Sequence, residues 1–458
     1  MKPFTVSSPT IPCPPPRPLA PFGFRISTSA LLFAFALHAS AALAADRQVV
    51  RGHLPSAVAA LQPLNRLPAS QRLALAIGLP LRNQAELTAF LRDLYDPASP
   101  NYRSYLTPQQ FTERFGPSQQ DYQSLIDFAK ASGFTIKTHP NRVILNVDAA
   151  VADIEKAFHL TMRVYQHPVE ARTFYAPDTE PALDLSASVL HISGLDNFTL
   201  PHPKNLKRQP PPRPDDITPK NGAGPGGTYM GSDFRAAYVP GTSLTGAGQV
   251  LGLLEFDGFF PGDIATYESI AGLPSVPLQV VLLDGFNGAP GPGNVEVALD
   301  IEVAIAMAPG LSQIILYEGS LPETVFNQMA NDNLASQVSC SWGWGGGPSR
   351  LLDQIFQQMA AQGQSVFDAS GDVDAFPPGA VDDPTRSDAP SDDPYITQVG
   401  GTTLTTSGPG GAWVSETVWQ RGGGVGSSGG ISSYYPIPFW QQGVNMSTNG
   451  GSTSFRNL

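Results

Sequence analysis

The second half of the chain alternates short apolar runs with stretches of helical spacing, and this alternation constrains the fold more than any other feature. The apolar runs have the length and composition of strands buried on both faces of a parallel sheet, and the stretches between them are long enough for crossover helices. The sequence therefore predicts a doubly wound α/β sheet, in which functional side chains lie at the carboxyl ends of the strands. The predicted strands are residues 249–255, 278–283, 313–317, 338–342 and 365–369, and the predicted helices are residues 261–271, 294–308, 322–330 and 351–362.

The predicted helix that begins near Asn294 carries two carboxylates on one apolar face. Asn294 is a suitable N-cap after Pro292-Gly293, and Pro309 ends the helix. Glu296 and Asp300 are four residues apart and therefore lie nearly above one another. Two acids on an apolar face repel each other and are poorly solvated, which raises at least one pKa toward the range useful for acid–base chemistry. The alternative is structural, with acids in the first turn that favour the helix dipole.

Residues 46–202 form a separate predicted unit of mixed helices and short strands, typical of an α+β sandwich. Its histidines are scattered, and no catalytic constellation is visible in it. The predicted helices are residues 84–95, 107–115, 119–132 and 149–158, and the predicted strands are residues 143–147, 161–165 and 172–175.

Two further segments are assigned from composition. Residues 1–45 contain basic residues, an apolar run and a small-residue end, which predicts a secretory signal peptide and an extracellular or periplasmic location. Residues 203–228 are rich in Pro and Gly and predict an exposed linker that is easily cut. The linker is either a processing site or a plain spacer. The remaining residues, 229–458, form the α/β section.

The charge of the α/β section restricts its partners. From Thr228 onward the chain has 22 Asp and Glu residues against five Arg and no Lys. Such acidity argues against nucleic acid or an anionic membrane as a partner. It fits operation at low pH, where protonation removes the repulsion, and it fits a role in solubility equally well.

The residue types available after His202, the last histidine, exclude several kinds of chemistry. A Ser-His-Asp triad cannot be built there, and a zinc site lacks ligands. From Thr228 onward the chain also has no lysine that could support a phosphate loop. Cys340 has no cysteine partner there and is interpreted as a small buried hydrophobic residue. Carboxylates remain as acid–base groups. Asp372 follows the predicted strand 365–369, where a protonated carboxyl can donate to an oxyanion. Glu255 and Trp342 lie at other strand ends, and the acidic loop 382–394 is interpreted as solvated.

Together these residues resemble the sedolisins, or serine-carboxyl peptidases, which include the kumamolisins. The similarity covers nearly all of the chain after the signal peptide, and residues 46–202 look like the activation prodomain of that family. The motifs that carry the resemblance are Asp96-Pro97, residues 104–107, Phe111 and the stretch from Phe115-Gly116 in the first unit, and residues 296–302, 339–343, 369–372, 399–404, 429–432 and 438–441 in the second.

The resemblance implies a function and a role for each site residue. It implies a secreted zymogen with a subtilisin-like sheet, a structural calcium site, peptide or protein substrates, and its own prodomain as an intramolecular inhibitor. Glu296 would be the general base that activates a serine, and Asp300 would orient it. Asp372 would stabilise the oxyanion, while Glu255 and Trp342 would extend the hydrogen-bond network.

The chain also departs from the family pattern. The family nucleophile lies in a Gly-Thr-Ser segment after a stretch resembling residues 455–458, and the family calcium ligands come later still. Residues 452–455 lack that order and are interpreted as a loop. We therefore expect a sheet incomplete at its C-terminus, calcium ligands beyond Leu458 and no serine-carboxyl peptidase activity from residues 1–458. The alternatives are a non-enzymatic secreted binding or inhibitory protein, and an aspartic peptidase using Glu296 and Asp300, which the strand–helix alternation disfavours.

Overall fold

The computed structural model describes residues 47–204, 222–345, 348–375, 390, 392–446 and 450–458. The predicted signal peptide and most of the predicted linker, residues 205–221, lie outside the described residues, as do residues 382–389 and 391 of the acidic loop. The interpretation of that loop as solvated is wrong at Asp392 and Asp393, which are buried and accept hydrogen bonds from Ser432 and from the amide of Tyr395. All described residues belong to one structural unit, Asp46–Leu458.

The first part of the chain is an α+β unit built on two antiparallel sheets. One sheet has the strand order β4-β5-β3-β9, and the other has the order β2-β6-β7. The elements are β1 (Gln48–Val49), β2 (Asn65–Arg66), β3 (Arg72–Gly78), α1 (Gln84–Tyr95), α2 (Pro108–Arg114), α3 (Gln119–Ala131), β4 (Thr135–Lys137), β5 (Ile144–Ala150), α4 (Val151–Phe158), β6 (Met162–Gln166), β7 (Thr173–Pro177), β8 (Ala182–Leu183) and β9 (His191–Ser193), with a 3₁₀ turn at Ser56–Ala60.

The predicted helices of this unit are present within two residues of their expected bounds. Local chemistry explains the agreement, since α2 begins with Pro108 after Thr107, whose side chain forms a capping box with Gln110. The strand β3 was missed by the sequence analysis, although it is central in its sheet and pairs with both β5 and β9. The residues of β3 are mostly apolar and only partly alternate, and Gly78 and Pro80 follow directly, so the sequence signal for a strand is short.

The second part of the chain contains the α/β domain and shorter strands that follow it. Its elements are β10 (His202–Pro203), α5 (Gly231–Tyr238), β11 (Val250–Glu255), α6 (Pro261–Ala271), β12 (Leu278–Leu282), α7 (Asn294–Met307), β13 (Gln313–Glu318), α8 (Pro322–Asp332), β14 (Gln337–Cys340), β15 (Trp342–Gly343), α9 (Arg350–Gln362), β16 (Ser365–Ala369), β17 (Val373–Ala375), β18 (Thr397–Val399), β19 (Thr402–Thr406), β20 (Trp413–Val418), β21 (Gly426–Gly429), β22 (Ile431–Pro436) and β23 (Phe455–Asn457), with a 3₁₀ turn at Pro225–Gly227.

Six of these strands form one parallel sheet in the order β12-β13-β11-β14-β16-β18. The predicted doubly wound parallel sheet is therefore confirmed. The order reverses beside β11, because the chain proceeds from β11 through β12 to β13 on one side and then returns to β14 on the other. Ligands of such sheets bind outside the carboxyl ends of the strands at this switch point.

Two sequence predictions differ from the structure near the switch point. Residues 338–342, predicted as one strand, are divided into β14 and β15 by Ser341, and β15 leaves the parallel sheet to pair with β10. Asn294 is the first helical residue of α7 rather than its N-cap, which is Gly293. The side chain of Asn294 instead donates a hydrogen bond to the carbonyl of Gly291.

The α+β unit packs against helices α8 and α9 of the α/β domain. Apolar residues of α1 and α2 share one buried cluster with residues of α9, including Leu91, Phe111 and Phe356. Amide side chains also cross the contact. The Nδ2 of Asn141, which is fully buried, donates to Asn327 Oδ1 at 2.7 Å and to Gln358 Oε1 at 2.8 Å. The two parts are thus joined by a continuous apolar core that is crossed by amide hydrogen bonds.

Candidate active site

Glu296 and Asp300 lie at the start of α7, one turn apart, beside the switch point. The backbone that leads into the helix is fixed by Asp257, whose carboxylate oxygens accept hydrogen bonds from the amides of Gly291 and Gly293 at 2.5 and 2.6 Å. Asp257 follows β11 by two residues, so the end of that strand sets the position at which the helix begins. The spacing on α7 and this anchor together place the two acids at the sheet edge.

Glu255 is the last residue of β11 and is fully buried. The indole Nε1 of Trp342 donates to its Oε2 at 2.7 Å. Burial and the charge of Asp300 raise the pKa of Glu255 well above its ordinary value. Both effects favour the neutral form of Glu255, whose position is fixed by β11 and by the indole of Trp342.

Asp300 connects Glu255 to the segment between β14 and β15. Its Oδ1 accepts a hydrogen bond from Ser341 Oγ at 2.8 Å. Burial raises the pKa of Asp300 to about 7, and hydrogen bonds from Ser341 and Glu255 oppose that shift because they favour the carboxylate.

Glu296 has the least ordinary environment of the predicted residues on α7. Its side chain is largely buried, and its pKa is raised to about 8 by that burial and by the charges of Asp300 and Asp372. Acids this close share protons as a group, so the cluster loses its protons stepwise. The sequence prediction that at least one of the two pKa values is raised agrees with the structure.

Asp372 approaches this cluster from the end of β16. Gly371, just before it, has φ +102°, a conformation that favours glycine. The turn is fixed to β21, because the amides of Ser428 and Gly426 donate to the carbonyls of Gly371 and Asp372 at 2.9 and 3.1 Å. Asp372 is half-buried, and its charge contributes to the raised pKa of Glu296. The structure thus brings together all five predicted residues, from the ends of β11, β14 and β16 and from α7.

Three residues that the sequence analysis did not single out also belong to the neighbourhood. Ser341 contacts Asp300, Asp257 anchors α7, and Glu318 ends β13 beside Glu255 in the sheet register. Burial and the charge of Asp257 raise the pKa of Glu318 to about 7. The position of Asp257 and Glu318 after apolar strands was a usable signal, since side chains at the carboxyl ends of parallel strands meet at one edge.

The end of the α+β unit runs directly along this site. His202–Pro203 pairs antiparallel with Trp342–Gly343, and the amide of Lys204 donates to the carbonyl of Ser341 at 3.2 Å. Lys204 is buried, and its ammonium group donates to Asp368 and to the carbonyl of Ala369. The prediction that the linker is exposed from residue 203 is therefore wrong at its beginning, because strand pairing and an ion pair hold these residues in the fold.

The remaining predictions concern Cys340, the loop 452–455 and metals. Cys340 is buried and unpaired with another cysteine, as predicted. Residues 452–454 form no helix or strand, as predicted, but the loop prediction is wrong at Phe455, which begins β23. Ser452 Oγ accepts hydrogen bonds from the amides of Ser454 and Phe455. In the described ranges, no group of three or more His, Cys, Asp or Glu side chains is arranged to hold a metal ion. No described residue is therefore assigned to calcium.

Searching the same described ranges finds no helix that is both long and apolar enough to cross a bilayer.

Comparisons with known proteins give concordant matches. Residues 59–198 match the family model for the pro-kumamolisin activation domain. Xanthomonalisin from Xanthomonas sp. (strain T-22) is 30% identical over 407 residues, which cover 78% of this chain and 48% of that protein. Sedolisin from Pseudomonas sp. (strain 101) is 29% identical over 81% of this chain and 67% of its own length, and kumamolisin from Bacillus sp. (strain MN-32) is 27% identical over 86% and 73%.

The parallel sheet and the match of residues 59–198 to the pro-kumamolisin activation domain define the class of this protein as an α/β domain preceded by an activation domain. Through its similarity to xanthomonalisin, sedolisin and kumamolisin, the chain belongs to the sedolisin family. It spans about half the length of xanthomonalisin.

Proposed function

We propose that this chain belongs to a secreted zymogen that hydrolyses peptide bonds at acidic pH by serine-carboxyl catalysis. The observation that carries the proposal is the cluster of Glu296, Asp300 and Asp372 at the strand ends of a domain that contains no histidine. Carboxyl groups are then the acid–base groups available for the reaction.

The proposed chemistry assigns one proton to Glu296. As a serine oxygen attacks the carbonyl carbon of a peptide bond, Glu296 accepts the hydroxyl proton and later gives it to the leaving amine. A carboxyl with a pKa of about 8 is protonated in acid and cannot accept a proton. A serine hydroxyl that donates to Glu296 would lower that pKa, because donated hydrogen bonds favour the carboxylate.

The neighbouring groups support the two charged species of this reaction. Asp300, positioned by Ser341 and Glu255, orients Glu296 and shares its proton equilibrium. Asp372 in its protonated form donates to the oxyanion of the tetrahedral intermediate. Trp342 keeps Glu255 in place through its indole donor.

The α+β unit would act as the inhibitor of this site. Its last residues pair with Trp342–Gly343 as an added strand, which is a common way for a protein to hold an extended peptide. A substrate using the same strand would have to displace the residues from His202 to Lys204. Cleavage within the linker followed by release of the unit would therefore activate the enzyme.

We assign none of the described serines as the one that Glu296 would activate; Ser452 and Ser454 lie in a loop closed by hydrogen bonds to Ser452. We propose that residues 1–458, as an isolated polypeptide, provide the carboxyl groups without hydrolysing peptides. Calcium, implied by the family resemblance, has no role in the steps assigned here.

The test is proteolysis of denatured casein at about pH 4, in the presence of pepstatin, by two proteins. One is residues 1–458, and the other is expressed from the complete coding sequence, including any codons after Leu458. We expect hydrolysis by the second protein alone, and loss of at least about 100-fold in rate for its Asp372→Ala variant. Hydrolysis by residues 1–458 would show that the nucleophile lies among them and overturn the last assignment, whereas no hydrolysis by either protein would contradict the proposed function.

A further inference from the structure

The ion pair between Lys204 and Asp368 lies in the interior of the protein, which is unusual for charged side chains. Lys204 is 4% exposed and Asp368 is 0% exposed. The Lys204 ammonium donates to the carboxylate of Asp368 and to the carbonyl of Ala369, so the charge is met by two oxygens. Burying either charge without the other is strongly unfavourable. The buried carboxylate therefore favours a cationic side chain at position 204, and the buried ammonium favours an anionic side chain at position 368.

The backbone around Lys204 is held in the manner of a bound peptide. His202–Pro203 forms an antiparallel pair with Trp342–Gly343, and the Lys204 amide continues the pairing to Ser341. Main-chain pairing of this kind is independent of sequence, and the side chains that enter pockets provide the selectivity. In this segment the side chain that enters the protein is that of Lys204.

The pocket that receives this side chain is part of the candidate active site. Asp368 is the next-to-last residue of β16, three residues before Gly371-Asp372, and it lies beside Cys340 in the register of β14 and β16. Ser341, whose carbonyl accepts from Lys204, also donates to Asp300. The lysine thus contacts β16 close in sequence to Asp372, and it contacts Ser341, the residue that donates to Asp300.

The described cation that pairs with Asp368 comes from outside the α/β domain. No lysine occurs after Lys220. Arg456 is close enough for its guanidinium to be influenced by Asp368, but its described hydrogen bonds go to the carbonyls of Asp393 and Ile396. Among the described contacts, the cation paired with Asp368 is Lys204, which belongs to an extended segment.

We propose that the pocket formed by Asp368, Ala369 and Cys340 is a specificity subsite for a basic side chain, so that the enzyme acts on peptides with lysine at this position. Lys204 occupies the subsite in the zymogen and is replaced by a substrate lysine after activation. The proposal rests on the proposed function, because it treats the strand at Trp342–Gly343 as the place where substrate binds. Arginine is expected to bind less well than lysine, since two converging oxygens suit a compact ammonium group better than a planar fork.

The first test needs no catalysis, because the chain presents its own peptide to the subsite. Hydrogen–deuterium exchange at the backbone amides of residues 204 and 341–343 is compared among residues 1–458, Lys204→Met, Asp368→Asn and the double variant. We expect Lys204→Met to lose at least about tenfold in protection, because its segment leaves the buried carboxylate, and the double variant to recover it. Exchange of the β5 amides in the α+β unit serves as the control for global folding.

Either of two results would overturn the subsite. In the first, Lys204→Met keeps full protection although Asp368 is present. In the second, Lys204→Met and the double variant lose protection equally. Both results mean that charge does not select the side chain. If Lys204→Met also loses protection at the β5 amides, global folding is affected, and the double variant, which contains neither charge, becomes the deciding measurement. Protection equal to that of the unmodified chain supports the proposal, and loss of protection contradicts it.

The second test extends the inference to substrates. The protein expressed from the complete coding sequence is given two peptides that differ only by Lys or Met at the subsite position. We expect kcat/KM to favour the lysine peptide by at least about tenfold, and the ratio to approach one in Asp368→Asn. Equal cleavage of both peptides would overturn the subsite alone. Cleavage of neither peptide would contradict the proposed function, and the exchange measurement would still decide the subsite.

Discussion

Glu296 shows how strongly a single side chain depends on its neighbours. Burial, Asp300 and Asp372 all favour its neutral form, and they raise its pKa to about 8. Burial also raises the pKa of Asp300, to about 7, while Ser341 and Glu255 donate hydrogen bonds that favour its carboxylate. Two acids one turn apart on the same helix therefore differ through their contacts with other elements.

The raised pKa of Glu296 predicts a pH dependence of stability. A carboxyl whose folded-state pKa lies above its unfolded-state value stabilises the fold fully below the unfolded-state pKa and loses that contribution as pH rises toward the folded-state pKa. Stability should therefore fall between the ordinary glutamate pKa of 4.5 and about 8. Each proton contributes a slope of at most about 1.4 kcal/mol per pH unit.

The measurement is the urea midpoint of residues 1–458 across this pH range. Glu296→Gln should flatten the decline, because glutamine remains neutral in both states. Glu113→Gln, at an exposed position of α2, is the matched control and should leave the decline unchanged. Parallel curves for the unmodified chain and Glu296→Gln would show that Glu296 does not titrate as described.

For single residues, the sequence predicts which side chains are neighbours on one helix and which side chains follow a strand. Glu296 and Asp300 are neighbours because of helical spacing alone, and Asp372 is located by the strand before it. Lys204 and Ser341 could not be paired in this way, since their contact depends on how a Pro-rich segment meets the end of a distant strand. The roles of the five predicted residues stay predictions, whereas their proximity is a property of the structure.

Among the helices and strands, α8 and α9 each pack on two sides, against the parallel sheet and against the α+β unit. Helix α9 is buried along nearly its whole length, and its glutamines face the contact together with Asn141 and Asn327. Amides do not titrate, so this part of the contact is expected to keep its strength in acid. The sequence showed the apolar period of α9 but could not show that its polar face is also covered.

Asn141 provides the test of this amide contact. Asn141→Ala removes the donor to Asn327 and Gln358 and the acceptor for the Val143 amide, and all these groups lie in the interior. We expect a loss of about 1–3 kcal/mol in the free energy of unfolding, measured with urea. Asn101→Ala, at an exposed turn, is the control and should change stability by less than about 0.5 kcal/mol. A loss no larger than that of the control would mean that the amide contact contributes little.

At the scale of the whole molecule, the strand–helix alternation predicts the parallel sheet, and the sheet places the site. Glu255 lies at the end of β11, Trp342 begins β15 just after β14, Asp372 follows β16, and α7 adds its two acids beside the switch point. What the alternation does not contain is the path of residues 202–204 along β15. Through that path the last residues of the α+β unit lie beside the carboxyl cluster. This contact is the structural basis for proposing that the chain is a zymogen.

The most direct test of the central claim compares Glu296→Gln with Glu302→Gln in the protein expressed from its complete coding sequence. Both substitutions lie on α7, and Glu302 likewise has a raised pKa, of about 7, but through burial and Asp263 rather than through the carboxyl cluster. We measure kcat for peptide hydrolysis at about pH 4. We expect a loss of at least about 100-fold for Glu296→Gln and a change of less than about threefold for Glu302→Gln. Equal activities of the two variants would contradict the assignment of Glu296 as the base.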